Sequence, residues 1–271
     1  MRQENPGQLK FDTLGKQKAF IGMLHLGTMP GTPFYEDGSY QATLDAAVED
    51  AVALQEGGAT GCLVQTVDRV YSTKDEADPT RIAAVANIVQ AIHREVPADF
   101  QIGVQIMRHA NKASLGVARV SGGSFVRVGA LIGATLTPWG WVEADPHDVQ
   151  AYRRYIGAWD IALIAEIASM HFNWSEKPLK ELAWSARYVG ADAVSIGDRD
   201  VEKTIRMIEE IKTAHPDLPV ILAGYTNHDN AAQLFQYADG AYVGSCLEKG
   251  GWAGRISRER VEQYAEIISG L

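Results

Sequence analysis

Residues 219–247 read PVILAGYTNHDNAAQLFQYADGAYVGSCL. An unbroken apolar run, Pro219–Ala223, ends in Gly224, as a parallel strand buried on both faces would. A helix is expected from Asn227, a good N-cap, through Tyr237 to about Ala238, and a second apolar strand, Gly240–Val243, ends in Gly244 and Ser245. Strand, turn, helix and strand in this order make a βαβ unit. Glycines at the carboxyl ends of two successive strands let a ligand approach the backbone, and unpaired N–H groups there suit an anion. Gly224, Thr226, Gly244 and Ser245 are therefore candidate phosphate-binding residues; the plainer reading is that the glycines permit tight turns.

Working outward from this unit, the same alternation fills the chain. Strand-like runs fall at Ala19–Leu26, Gly61–Thr66, Phe100–Met107, Phe125–Gly129, Ile161–Ile167, Ala191–Ile196, Pro219–Ala223 and Gly240–Val243. Helical runs fall at Thr43–Gly57, Pro79–Val96, Asn111–Val120, Pro146–Ala158, Pro178–Val189, Val201–Ala214, Asn227–Tyr237 and Ser257–Ile268. In the first of these, Leu44, Ala47, Val48, Ala51 and Leu54 recur at helical spacing. Eight strands each followed by a helix predict a single α/β domain, a parallel (β/α)8 TIM barrel ringed by helices, over residues 19–271, preceded by a polar segment, 1–18. A doubly wound open sheet fits less well, because no G-x-G-x-x-G follows the first strand, and no nucleotide cofactor is expected.

The 271 residues carry a net charge of −9 and no Lys/Arg cluster that could track a phosphodiester backbone, which argues against nucleic acid as a partner. The first residues, MRQENPGQLKFDTLGKQK, lack the apolar core of a secretory signal, and no apolar run reaches the ~18 residues of a membrane span. Cys62 and Cys246 lie in apolar runs and read as small buried thiols, which fits a reducing cytoplasm.

In a barrel, ligand chemistry gathers in the loops beyond the carboxyl ends of the strands. Glu166 closes an otherwise apolar strand, where a carboxylate must be paired, protonated or bound to a ligand, and it is the first choice for a general acid or base. The competing reading pairs it with Arg108, Arg127 or Arg199 as a brace. Asp68 and His171 are further candidates for moving protons, and His25, Gln65, Arg108, Thr137 and Asp198 for contacting a substrate. A cofactor is left open: a divalent metal could use His25, Asp68, Glu166, His171 and Asp198, although no H-x-H or H-E-x-x-H spacing groups any two of them. No strand carries a lysine for a Schiff base, and no G-x-S-x-G elbow marks a nucleophilic serine.

Three segments, IGMLHLGTMPGTPFY, FVRVGALIGATLTPWGWVEADP and PVILAGYTNHDNAAQLFQYADGAYVGSCLEKGG, resemble motifs of the BtpA family of TIM-barrel proteins, which includes SgcQ-like proteins. The first matches a family pattern like G-x-x-H-L-x-P-L-P-G-S-P at Gly22, His25, Leu26, Met29, Pro30, Gly31 and Pro33. The chain departs from the family at Gln65-Thr66, where relatives carry Glu-Asn, at Gly129, where they carry Asn, and at Ala223-Gly224-Tyr225, where they carry Gly-Ser-Gly. Glu166 stands for the Asp of the family's D-V-H-x-K-H stretch and His171 for its last His. The resemblance implies the barrel, paired anion loops, self-association into a homo-oligomer, and kinship with photosystem I biogenesis factors.

Two functions remain in view. One is a cytoplasmic enzyme acting on a small phosphorylated sugar or nucleoside-like compound by carboxylate and histidine acid–base chemistry, as an isomerase, epimerase, lyase or hydrolase. The other is a non-catalytic assembly or biogenesis factor that uses the barrel as a scaffold, with Trp139 and Trp141 beside Pro138 as a contact surface.

Overall fold

A computed structural model describes residues 8–170, 172 and 177–270. Strands β1 (Ala19–Leu26), β2 (Gly61–Thr66), β3 (Gln101–Gln105), β4 (Phe125–Val128), β5 (Ala162–Ala168), β6 (Ala193–Ile196), β7 (Val220–Leu222) and β8 (Gly240–Val243) pair in parallel and in sequence order. The ring closes where Ala19–Gly22 of β1 register with Gly240–Val243 of β8. This is the (β/α)8 barrel expected from the alternation of runs. Helices α1 (Tyr40–Glu56), α2 (Pro79–Glu95), α3 (Asn111–Ser121), α4 (Pro146–Tyr155), α5 (Leu179–Tyr188), α6 (Val201–Ala214), α7 (Ala231–Leu234) and α8 (Arg258–Ser269) follow the strands.

Side chains alternate along each strand, so every second residue enters the barrel. Ile21, Met23, Leu63, Phe125, Ile164, Ile221 and Tyr242 meet there in one buried apolar cluster. Phe11 closes its lower end, with its ring 5.4 Å from that of Phe125, and Lys10 N–H donates to Asp160 O just before β5. The last part of the polar leading segment thus serves as a plug. The outward residues, Phe20, Leu24, Val64, Val104, Val126 and Leu163 among them, pack against the helices in the larger cluster. Asp78, Asp145 and Asp200 cap α2, α4 and α6 by accepting backbone N–H bonds, which fixes where those helices begin.

Two regions depart from the sequence reading. The helix expected over Asn227–Tyr237 is only the four residues of α7, because Asn227 Oδ1 accepts from Asp229 N–H and Asn230 N–H and holds the preceding residues in a turn. The loop after β4 folds into an antiparallel hairpin, Ala134–Thr137 with Gly140–Glu143, where no strand was expected. A second, shorter ladder joins Glu248–Lys249 to Arg255–Ile256 beyond β8. Among the described residues no helix is long and apolar enough to cross a membrane.

Candidate active site

The alternation that fills the barrel with apolar side chains turns polar at its last inward positions. His25 lies near the end of β1, Gln65 of β2, Arg127 of β4 and Glu166 of β5, Gln105 ends β3, and all five line a cavity of about 1220 Å³ at the carboxyl ends of the strands. Gln65 Nε2 donates to Gln105 Oε1 at 2.5 Å, tying two of these positions together. The hairpin over residues 134–143 forms one wall, with Trp139 edge-on to Tyr71 of the loop after β2, ring centroids 4.8 Å apart.

At the base of the cavity Arg127 Nη2 donates to Glu166 Oε2 at 3.0 Å, and the two side chains are 5% and 3% exposed. The Ser169 hydroxyl donates to Glu166 Oε1. The Arg127 guanidinium lies 4.9 Å from the centre of the Tyr242 ring. Burial raises the pKa of the Tyr242 phenol, so that group stays protonated and can serve only as a neutral donor or acceptor. Arg108 also lines the cavity; burial pulls its pKa down while the charge of Glu166 pushes it back up. A guanidinium and a hydroxyl both donate to this carboxylate, an arrangement that favours its charged form and suits a base better than an acid.

The structure brings together nine of the expected site residues: His25, Gln65, Arg108, Thr137, Glu166, Gly224, Thr226, Gly244 and Ser245 all line this cavity. Gly224 has φ +118°, a conformation that glycine adopts without strain, and open space where a Cβ would stand. Among the described residues, the N–H groups of Gly224, Thr226 and Ser245 donate to no acceptor within the chain. The Thr226 hydroxyl is 2.6 Å from Tyr264 OH, which anchors this loop to α8.

Two expected residues lie elsewhere. Asp68 is fully buried behind the wall, where it pairs with Arg81 and accepts from Met29 N–H at 2.9 Å. Asp198 pairs with Lys203 and accepts from Asp200 N–H, which makes it part of the turn into α6. His171 lies outside the described residues. Among those described, no group of three His, Cys, Asp or Glu side chains is arranged to hold a metal ion. Cys246 borders the cavity, but burial pushes its thiol up to about 11, so it is protonated at neutral pH and a poor nucleophile.

Arg127 was legible only as one of three partners for Glu166, and Glu248 was not singled out at all. Glu248 is 1% exposed, and its Oε1 lies 3.0 Å from His25 Nδ1. For Arg127 the signal was present: it occupies an inward position of β4, two residues after the inward Phe125. For Glu248 there was none, since Glu-Lys-Gly-Gly reads as a solvated turn.

A model of the BtpA family matches residues 16–270. An uncharacterized protein of Archaeoglobus fulgidus is 30% identical over 258 residues, covering 94% of this chain and 100% of the relative. The photosystem I biogenesis protein BtpA of Synechocystis is 26% identical over 264 residues, covering 96% and 91%. Among solved structures, tryptophan synthase of Mycobacterium tuberculosis superposes with a TM-score of 0.63 at 20% identity, covering 96% of each chain. Thiamine phosphate pyrophosphorylase of Pyrococcus furiosus superposes at 0.56 and 18%, covering 94% of this chain and 97% of the other. At these identities the solved structures show a common fold.

Proposed function

The chain belongs to the BtpA family, and we propose that it is an enzyme acting on a small phosphorylated sugar or nucleoside-like compound by acid–base chemistry. One observation carries the reading: a buried Glu166, paired with Arg127, faces a large cavity whose rim beyond β7 and β8 holds N–H groups at Gly224, Thr226 and Ser245 that meet no acceptor among the described residues. In this reading the phosphate rests on those N–H groups, with Gly244 giving it room, and its anchorage positions the reacting carbon over Glu166. Arg127 and Ser169 fix the carboxylate as the base; Gln65, Arg108 and Thr137 contact the hydroxyl and carbonyl oxygens of the substrate. Asp68 and Asp198 hold loops in place instead of moving protons, and His171 keeps the auxiliary role expected from the sequence. The name of the pyrophosphorylase neighbour mentions a phosphate ester, which agrees with a phosphorylated ligand for this chain. Isomerase, epimerase, lyase and hydrolase chemistries all fit a carboxylate base beside an anchored phosphate.

The test is the melting temperature of the protein against sugar phosphates, nucleosides and nucleotides, each with and without Mg²⁺, Mn²⁺ and Zn²⁺. A rise with a phosphorylated sugar, lost in Ser245→Asp, supports the reading; a panel that leaves the transition unmoved overturns it.

A second reading, an assembly or biogenesis factor, draws on a separate observation. Leu136 and Trp141 stand directly opposite each other on the hairpin, 68% and 61% exposed, as an apolar pair facing solvent. One relative is named for photosystem I biogenesis. Association with a partner or with a second copy of the chain that survives Glu166→Gln but not Trp141→Ser together with Leu136→Ser supports this reading. Loss of association in Glu166→Gln alone counts against it.

A further inference from the structure

We infer that His25 is a second proton-transfer residue of this cavity, held in one tautomer by the buried carboxylate of Glu248, and that it works on the face of the bound molecule opposite Glu166. The inference rests on reading the cavity as an active site, and it narrows the reaction to epimerisation at a carbon beside a carbonyl.

His25 occupies the last inward position of β1, and its side chain is 9% exposed at the cavity wall. Its Nδ1 is 3.0 Å from Glu248 Oε1. A carboxylate can only accept, so the proton of the neutral ring sits on Nδ1. Nε2, on the edge of the ring away from Glu248, is then an acceptor, and it becomes a donor once the ring is protonated. The other oxygen, Glu248 Oε2, is buried and has no hydrogen-bond partner among the described residues. The charge of Glu248 is therefore directed at His25, where it stabilises the imidazolium from which the proton is given.

Several contacts hold this geometry. The Trp252 ring lies 5.5 Å from the His25 ring, and a Cβ at Gly244 would stand 3.5 Å from His25 Cε1. Glu248 is fixed by its ladder to Ile256 and by the Arg260 guanidinium, which donates to the Glu248 carbonyl. Apolar side chains of similar size often stabilise a fold as well as a buried carboxylate with a polar partner, so packing alone gives little reason for this pair.

The barrel order supplies the second half of the argument. From β1 the ring runs through β2, β3 and β4 to β5 one way, and through β8, β7 and β6 to β5 the other. His25 and Glu166 therefore stand on opposite walls, and a molecule between them shows each a different face. The Glu166 carboxylate takes the proton from the carbon beside the carbonyl, and the C–H electron pair moves into an enolate. The enolate C=C then takes a proton from Nε2 of the His25 imidazolium on its other face and re-forms the C=O. One C–H bond breaks and one forms at the same carbon with inverted configuration; Glu166 is left protonated and His25 neutral, and exchange with water resets both. No oxidant or further reactant is required.

Two measurements test this. Histidine-selective ¹⁵N labelling with long-range ¹H–¹⁵N correlation reads the tautomer directly, His25→Asn identifying the signal. In the neutral ring, read at a pH where His25 has lost its second proton, the expected pattern is Nδ1–H with Nε2 unprotonated, changing to Nε2–H in Glu248→Gln, whose amide can donate to Nδ1; the form that gives the proton carries a further one on Nε2. An Nε2–H ring in the native protein, or a pattern indifferent to Glu248→Gln, overturns the pairing. In D2O with aldose and ketose phosphates, the native protein should place deuterium at the carbon beside the carbonyl and form the epimer. His25→Asn should lose epimer formation by about 100-fold or more while keeping exchange on the Glu166 face. Undiminished epimer formation in His25→Asn overturns the inference and leaves the enzyme reading standing. If the tautomer pattern holds but no sugar phosphate exchanges, the enzyme reading fails, His25 loses its catalytic role, and the pair is a structural lock.

Discussion

Arg81 with Asp68 and Arg127 with Glu166 are the same chemical pair at nearly the same depth, with side-chain exposures of 7% and 0% in one and 5% and 3% in the other. They differ in what occupies their remaining hydrogen-bond positions. Arg81 also donates to Thr66 Oγ1 at 2.6 Å and to Met107 O at 2.7 Å, and Asp68 accepts from Met29 N–H, so this pair fastens the segments after β1, β2 and β3 to one another. Arg127 and Glu166 reach Tyr242 and the Ser169 hydroxyl and border the cavity. Depth alone therefore does not separate a brace from a site; the destination of the leftover donors and acceptors does.

That contrast can be broken by experiment. Arg81→Ala leaves the Asp68 carboxylate buried without its cation and should lower stability by about 3–5 kcal/mol in urea denaturation. A loss under 1 kcal/mol would mean that the brace reading of this pair is wrong. Glu166→Gln keeps the shape and polarity of the other pair, so its stability loss should be the smaller of the two, whereas turnover of a sugar phosphate should fall at least ~100-fold, about 2.7 kcal/mol of barrier. Equal turnover in mutant and native protein would remove Glu166 from the chemistry. At ten times the dissociation constant a sugar phosphate should stabilise the native protein by about 1.4 kcal/mol, and Ser245→Asp, by setting a negative charge beside the anion site, should abolish that increment in a thermal melt.

The smallest effect comes from a half-buried carboxylate with no arginine partner among the described residues. Asp75, in the loop after β2, accepts from Lys112 N–H at 3.0 Å, and burial raises its pKa to about 6. The folded state then binds more protons than the unfolded chain between pH ~4 and about 6, so this residue's contribution to stability falls as pH rises through that window. Asp75→Asn should therefore be the more stable protein at pH 7, by about 1 kcal/mol once screening of this half-buried group is allowed for, with the difference vanishing near pH 4. An unchanged difference across that range would show that the carboxyl keeps its ordinary pKa.

The barrel was legible because strands buried on both faces leave continuous apolar runs, as in Gly61–Thr66 and Gly240–Val243, whose bounds in the structure match those runs. Much of the site was legible for a related reason: a charged residue ending such a run, as Glu166 does, stands out. The hairpin at 134–143 escaped because its two-residue connection is Pro138-Trp139, without the Asn-Gly or Gly-X pair that usually marks so short a turn. Asp68 was legible as a strand-end carboxylate, but its partner is Arg81 on the following helix, and nothing local tells a buried brace from a cavity wall. Glu248 escaped because the partner that its carboxylate meets, His25, is 223 residues away.

That separation has a consequence for how the protein comes into being. The His25–Glu248 contact joins the first strand of the barrel to a residue beyond its eighth, and no fragment ending before Glu248 contains it. Every chain that ends before Glu248, whether still being translated or cut short, holds His25 without the carboxylate that orients it. The contact therefore ties this part of the cavity to a barrel whose eight strands have all been made, and no half-made barrel carries this pair already in place.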